Sequence, residues 1–555
     1  MDIKKIRIVL VIILLFVCAM LWGRWQDEYG AKAKAQPTTQ QQSTAQNSQV
    51  PDLGDQANSA SSQPVTSTVH APTNIDHVVT GKTITINTDV LKLKVSLNGG
   101  SVVQGWLLDY PKKLHSSQPV ALFTPVEGHR YLAQSGLIAP GLPAKRNFSA
   151  QQASYTLAPN QKQLTVNLTW QGDGISLVKS YTLTRGSYAI KVAYHVTNQT
   201  GKALNTRFYG QLLREEPKTH HSLLNSYMTY TGAAVSSTSD HYQKVSFGDM
   251  KDSNLSLSSI GGWAAMVEHY FIGAWVPNAK TTNQYYSRVY NDKLFAIGVA
   301  TPAKTIASGQ SATLGATLYA GPAIAKELDQ VSPNLDLTIN YGWLWPISIL
   351  IFKVMSWIHH YVGNWGWSII LVTLLIKLLF YPLSAKSYGS MARMRQLQPK
   401  IAQIKERCGD DKQKQAKATM ELYRKEKVSP LGGCLPMVIQ IPVFIGLYYM
   451  LMASVELRQA PWILWIHDLS VHDPYFILPI LMGITMYVQQ QLNPSMPDPT
   501  YGKVMKMMPI VFTVIFLGFP AGLVLYWLVN NLVTILQQWF IMRRVEAKTA
   551  KRGKR

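Results

Sequence analysis

Cysteine is almost missing from these 555 residues: there are three, Cys18, Cys408 and Cys434, and no two are close. That excludes a disulfide framework and any CxxC redox or zinc motif. Short catalytic motifs are missing too. No HExxH and no GxSxG occurs, so metalloprotease and serine-hydrolase chemistry lack support. Thr80-Gly81-Lys82-Thr83 contains GKT, but Asp76 stands where a P-loop needs its first glycine. His467-Asp468 could act as an acid/base pair, yet Trp462 and Trp465 nearby favour a hydrogen-bonded pair at an interface. Nothing here is built to make or break covalent bonds. No enzyme activity, cofactor, metal, DNA partner or small-molecule substrate is expected.

Acidic residues are also scarce, 30 Asp plus Glu against 53 Lys plus Arg, for a net charge of +23. Only 15% of residues are charged and 47% are hydrophobic, which suits a partly membrane-embedded chain. The basic excess could address nucleic acid, ribosome or anionic lipid, and its position along the chain decides.

What is present divides by pattern. The N-terminus has a basic flank (Lys4, Lys5, Arg7) and an apolar run from Ile8 to Trp22. No A-x-A-like cleavage site follows and Val17 spoils a lipoprotein motif at Cys18, so 1–28 reads as an uncleaved signal anchor. Residues 29–75, rich in Gln, Ser, Thr, Ala and Pro, read as a disordered tether. From 76 to 340 apolar and polar residues alternate, as in KTITINTDVLKLKVSLNGG and ISLVKSYTLTRGSYAIKVAYHVTNQTG. That predicts a large antiparallel β-sandwich outside the cytoplasm. Residues 341–363 carry Trp343, Trp345, Trp357 and Tyr361 with Lys353, His359 and His360. They predict an amphipathic helix lying in the membrane interface.

The remainder, 364–543, predicts an α-helical membrane bundle of five core transmembrane helices at 365–383, 431–453, 474–491, 504–519 and 522–542. A helical hairpin at 384–430 joins the first two. That hairpin has twelve Lys/Arg against five Asp/Glu, and the tail from Arg543 to Arg555 has seven against Glu546, whereas loop 454–473 has only Arg458. Basic segments stay inside, so the hairpin, both termini and the basic tail 544–555 are expected in the cytoplasm.

One residue resists this pattern. Lys377 lies in SIILVTLLIKLLFYPL, where an ammonium costs about 2.5–3.5 kcal/mol on insertion scales. No Asp or Glu occurs in any of the five spans, so no buried counter-ion is available there. An unpaired ammonium implies a hydrated groove, here open towards the cytoplasm. Helical spacing puts Thr373 and Tyr381 one turn to either side of it. The last span carries Tyr526, Asn530, Thr534 and Gln537 at similar spacing, with Trp527 and Asn531 beside them; Gln440 and the pair Thr485/Gln489 are further polar groups. These are either groove lining or hydrogen-bonding glue between helices. In the hairpin, Met391 and Met394 continue with Leu397, Ile401 and Ile404 at helical spacing. The stripe is either internal packing or an adaptable client surface. The tail's Lys551, Arg552, Lys554 and Arg555 are either a solvated topology signal or a contact for ribosomal RNA or anionic lipid.

NWGWSIILVTLLIKLLFYPL, MARMRQLQPKIAQIKERCGDDKQK, KVSPLGGCLPMVIQIPVFIGLYYMLMASVELRQAPWILWIHDLS and FPAGLVLYWLVNNLVTILQQ resemble the YidC-Oxa-Alb family, specifically the YidC membrane protein insertases of Gram-negative bacteria. The likeness covers roughly 341–545 closely and the remainder more loosely. It implies an ATP-independent insertase and chaperone in the bacterial inner membrane. Its partners would be nascent membrane proteins, the ribosome, the lipid bilayer and the Sec translocon, although it would also act alone. It implies a groove in which Lys377 carries the charge, Thr373 lies one turn earlier and Tyr526 and Trp527 give the aromatic contact; the spacing above adds Tyr381, Gln440 and Asn530 to that groove, and the hairpin's Met391, Met394, Arg393 and Arg395 are the candidate client or ribosome surface. Gram-negative members usually carry arginine where this chain has Lys377, and Trp527 falls on the second of two tyrosines. The resemblance also likens the β domain to a sugar-mutarotase sandwich without crediting it with activity. Two rival readings remain: an anion transporter or channel using the same cavity, and a sugar-binding or sugar-isomerising β domain.

Overall fold

A computed structural model describes residues 81–143, 146–217, 230–409, 411–426, 428, 435–492 and 499–553. The predicted anchor 1–28 and tether 29–75 lie outside the described residues, as do Lys554 and Arg555 of the tail.

Period-two patterning becomes two packed sheets. In one, strands Gln163–Gly172, Ile175–Thr184, Ala189–Asn198 and Ser311–Pro322 run antiparallel in that order. In the other, Leu204–Glu215 lies between Tyr131–Ile138 and Leu294–Ala300. Alternate residues Ile175, Leu177, Tyr181 and Leu183 are buried on one face, as a half-buried strand requires. The inner faces meet through aromatic contacts, Phe208 on Trp275 at 5.8 Å and Tyr194 on Phe208 at 6.1 Å. Lys179 shares that inward face. Its Nζ crosses to the opposite sheet and donates to the carbonyls of Gly100 (2.6 Å) and Ser135 (3.1 Å). The hydroxyls of Tyr181 and Tyr194 donate to the same two carbonyls, so the amine is held in a polar pillar between the sheets. Two short helices, α1 (Phe247–Asp252) and α2 (Ala325–Val331), flank the sheets.

From residue 345 the chain is helical: α3 (Trp345–Val362), α4 (Trp365–Leu379), α5 (Tyr381–Gln396), α6 (Gln398–Cys408), α7 (Lys412–Lys425), α8 (Leu435–Ala453), α9 (Ile477–Gln491), α10 (Pro499–Phe516) and α11 (Ala521–Gly553). Several boundaries differ from expectation. The segment 365–383 is not one helix: α4 stops at Leu379 and α5 departs at 67°. Pro382 has no N–H to give the carbonyl one turn back and disfavours helical geometry at Tyr381, which breaks the ladder there. Pro520 and Gly518 likewise end α10 at Phe516, short of the expected 519. The last helix runs from Ala521 beyond 542, so the basic segment 544–553 continues α11 instead of forming a separate tail. Among the described helices, Ala521–Val545 alone is long and apolar enough to cross a membrane, and α4 with α5 qualify only as a bent pair.

The β domain and the helical region are joined by specific polar contacts. Arg458 donates to the carbonyls of Pro111 (2.7 Å) and Lys112 (3.3 Å), and Gln459 also reaches Pro111 (3.0 Å). His269 Nε2 lies 2.6 Å from the carbonyl of Met452. Beside this junction Glu456 is half-buried, and desolvation pushes its carboxyl up to about 7. The folded protein therefore binds that proton more tightly than the unfolded chain, and stability falls as pH rises from the ordinary 4.5 through 7. Glu456→Gln should raise the thermal midpoint relative to the parent at pH 8 and hardly at pH 5; equal shifts at both would remove the assigned cause. Helix packing yields a second prediction. Gly483 on α9 lets α10 approach so closely that an added Cβ would strike the Thr513 side chain, whose hydroxyl is already bonded to the Pro509 carbonyl at 2.7 Å. Gly483→Val should destabilise by about 1–3 kcal/mol, seen as a lower thermal midpoint in detergent.

Candidate functional site

The two sides of α4 differ. Leu371, Leu374, Leu375 and Leu378 are exposed, whereas Ile369, Val372, Thr373 and Lys377 are buried. The 3.6-residue period thus turns the one cation of α4 inward, leaving it only 8% exposed.

Two neutral oxygens from two other helices meet it. Lys377 Nζ donates to Thr534 Oγ1 on α11 at 2.9 Å and to Gln440 Oε1 on α8 at 3.3 Å. The other end of the Gln440 amide donates to the Tyr526 hydroxyl. Thr534 Oγ1 donates to the carbonyl of Asn530 at 2.7 Å, which leaves its lone pairs for the ammonium; the Tyr388 hydroxyl lies beside it. Among the described residues no carboxylate pairs with Lys377. An ammonium carries three N–H donors and two are engaged, so one is left for another acceptor.

Of the residues singled out from sequence, Lys377, Gln440 and Tyr526 are joined in one hydrogen-bonded chain. Thr373 is buried one turn away, but its hydroxyl turns back to the Ile369 carbonyl at 2.6 Å. Asn530 contributes its backbone carbonyl, and its side-chain oxygen is buried without a partner. Tyr381 does not extend the stripe: it begins α5 beyond the bend, half-buried, because Pro382 interrupts the helix on which the spacing was counted. Trp527 does not line the site either. Adjacent helical residues point about 100° apart, and its ring packs on Phe444 (4.6 Å) and Phe516 (5.3 Å). Thr534 was named as a polar residue of the last span but not assigned to the groove, and Tyr388 was missed. Thr534 was visible in the polar spacing of the last span, but no signal ranked it above its neighbours. Tyr388 had none, since the bend that brings it in is not a periodic feature.

In the hairpin, Met394 is buried with Leu397 and Val428, and Met391 packs against them with Ile401 and Tyr423. The methionine stripe therefore takes part in packing within the hairpin, Met394 fully and Met391 in part. Arg393 and Arg395 are exposed. Lys551 and Arg552 fall in the last turn of α11.

Fold and site together define a two-part membrane protein: a β-sandwich joined to a helical core that encloses an ammonium among neutral oxygens. A family model described as the YidC periplasmic domain matches residues 83–354, and one described as 60Kd inner membrane protein matches 357–549. Proteins named membrane protein insertase YidC are similar over nearly the whole chain. That of Coxiella burnetii (strain RSA 331) is 45% identical over 561 residues, covering 99% of this chain and 98% of that protein. That of Pseudomonas putida (strain KT2440) is 46% identical over 566 residues, covering 99% and 100%. The chain belongs to the YidC family of membrane protein insertases. It is therefore an insertase and not an enzyme, an inner-membrane protein whose β-rich region is the periplasmic domain. A solved structure described as an active YidC insertase with its first transmembrane domain resolved matches at 18% identity and TM-score 0.38, over 82% of this chain and 92% of that one. A galactose mutarotase related enzyme from Lactobacillus acidophilus matches 43% of this chain at 10% identity and TM-score 0.30.

Hydrogen bonds to charged groups contribute about 1.5–3 kcal/mol. Thr534→Val should lower the thermal midpoint and increase labelling of Lys377 by an amine-reactive probe, and Thr534→Ser should restore both. Unchanged labelling in Thr534→Val would remove Thr534 as the group that holds the ammonium.

Proposed function

We propose that Lys377 is the attracting charge of a hydrated groove, open to cytoplasm and lipid, through which the extracytoplasmic segment of a nascent membrane protein crosses. The observation that carries this is a buried ammonium bonded to two neutral oxygens, with one donor left over. Neutral partners hold the cation without cancelling its charge, so an entering carboxylate gains a charge-assisted hydrogen bond that water would otherwise supply. Gln440, Tyr526, Thr373 and Asn530 line the route. The client's apolar helix leaves along lipid-exposed helices, driven by hydrophobic burial and, for an acidic segment, by the membrane potential, about 2.3 kcal/mol per charge per 100 mV.

In this reading five core spans and the anchor cross the inner membrane, with both termini cytoplasmic. The bent pair α4–α5 is then a span followed by the first arm of the hairpin. Exposed Arg393 and Arg395 suit a ribosome contact, and the Sec translocon is a further partner for larger clients. Lysine in place of the family's usual arginine keeps the charge but gives up the bidentate fork, which favours a site that attracts carboxylates without fixing their geometry. Lys377→Ala should reduce insertion of a single-span client with an acidic amino-terminal segment severalfold in proteoliposomes, and Lys377→Arg should retain it. Full insertion by Lys377→Ala would sink the role given to the charge.

A further inference from the structure

Beyond the groove, α11 carries a second feature. Between residues 530 and 544 its exposed positions are Leu532, Leu536, Trp539, Phe540, Arg543 and Arg544. Their spacing of i, i+4, i+7, i+8, i+11 and i+12 makes one continuous stripe along the helix. The stripe changes chemistry in order, from aliphatic to aromatic to guanidinium, over about 18 Å. Arg543 stacks over the Trp539 ring with its guanidinium carbon 4.3 Å from the centroid, and Arg544 stacks over Phe540 at 4.2 Å. Both rings are nearly half exposed, at 47% and 43%, so neither is buried in the bundle.

We propose that these two stacked pairs form a binding surface for the headgroups of anionic phospholipids at the basic end of α11. It rests on the reading above that α11 spans the bilayer. Exposed leucines set the hydrocarbon level and the rings sit where aromatic side chains favour the interface. The guanidiniums follow at headgroup height, with their stems along apolar surface. Stacking occupies one face of each guanidinium and fixes its plane, which leaves the in-plane N–H donors for phosphate oxygens. The charges lie within one turn of rings continuous with the lipid-facing leucines, which favours a lipid over an RNA backbone. The later basic residues, Lys548, Lys551 and Arg552, extend further from that level.

The test uses the full-length protein in dodecyl maltoside, titrated with dioleoylphosphatidylglycerol or dioleoylphosphatidylcholine. Lipid retention is read by native mass spectrometry and stability by the thermal midpoint. The phosphatidylglycerol should bind more tightly and raise the midpoint further. Arg543→Gln/Arg544→Gln should weaken that binding roughly thirtyfold, given about 1 kcal/mol for each basic residue near an anionic surface, and leave the phosphatidylcholine response unchanged. Trp539→Leu/Phe540→Leu, with both arginines kept, should lose part of the preference. Equal responses to the two lipids, or an unchanged affinity in the arginine variant, overturns the proposal. So does displacement of the lipid by a short oligoribonucleotide, which would assign the surface to RNA. Resistance of the variant to alkaline extraction from membranes separates failure of this surface from failure of the spanning reading.

Discussion

An ammonium enclosed by apolar helices without a carboxylate is the constraint from which the helical core follows. A buried counter-ion would neutralise Lys377 and leave it inert, and full desolvation without partners would be too costly to keep. The core takes an intermediate course. Two neutral oxygens from α8 and α11 share the charge, and each is itself oriented by a further hydrogen bond, to Tyr526 and to the Asn530 carbonyl. Three helices are thereby tied to one nitrogen. The arrangement also explains why polar residues recur on the inner face of α11 while its outer face is apolar from Leu532 to Phe540.

The break at Phe380 serves the same site. If α4 continued straight through 383, the first arm of the hairpin would run on along the helix axis. The 67° turn instead brings Tyr388 and the buried Ser384 and Ser387 back towards the bundle. A single proline thus ends an apolar helix and closes the polar cluster from another side.

Much of this was legible in the sequence. Period-two alternation identified the β-rich region, and the lysine in an apolar run marked the site before any geometry was known. The family followed from long motifs in the helical region. The failures share a physical origin. Tyr381 was placed by counting turns on a helix that Pro382 interrupts, and Trp527 by its match to a family tyrosine, although its ring turns away from that of Tyr526 and packs on Phe444 and Phe516. The two possible roles of the methionine stripe differ only in whether a second helix covers it, which is a tertiary fact. Thr534 was one of several polar residues at the right spacing, and only the position of α4 selects it.

One property of α11 has mechanical weight. From Leu523 to Arg552 it contains neither glycine nor proline, and its helix is unbroken. Thr534, which grips the ammonium, and the basic end at Gly553 therefore belong to a single stiff rod. About 28 Å separates them along its axis, so a tilt of about 10° at one point displaces the other by roughly 5 Å. With no hinge between them to absorb motion, a load arriving at the basic end becomes a lever on the hydrogen bond at Lys377.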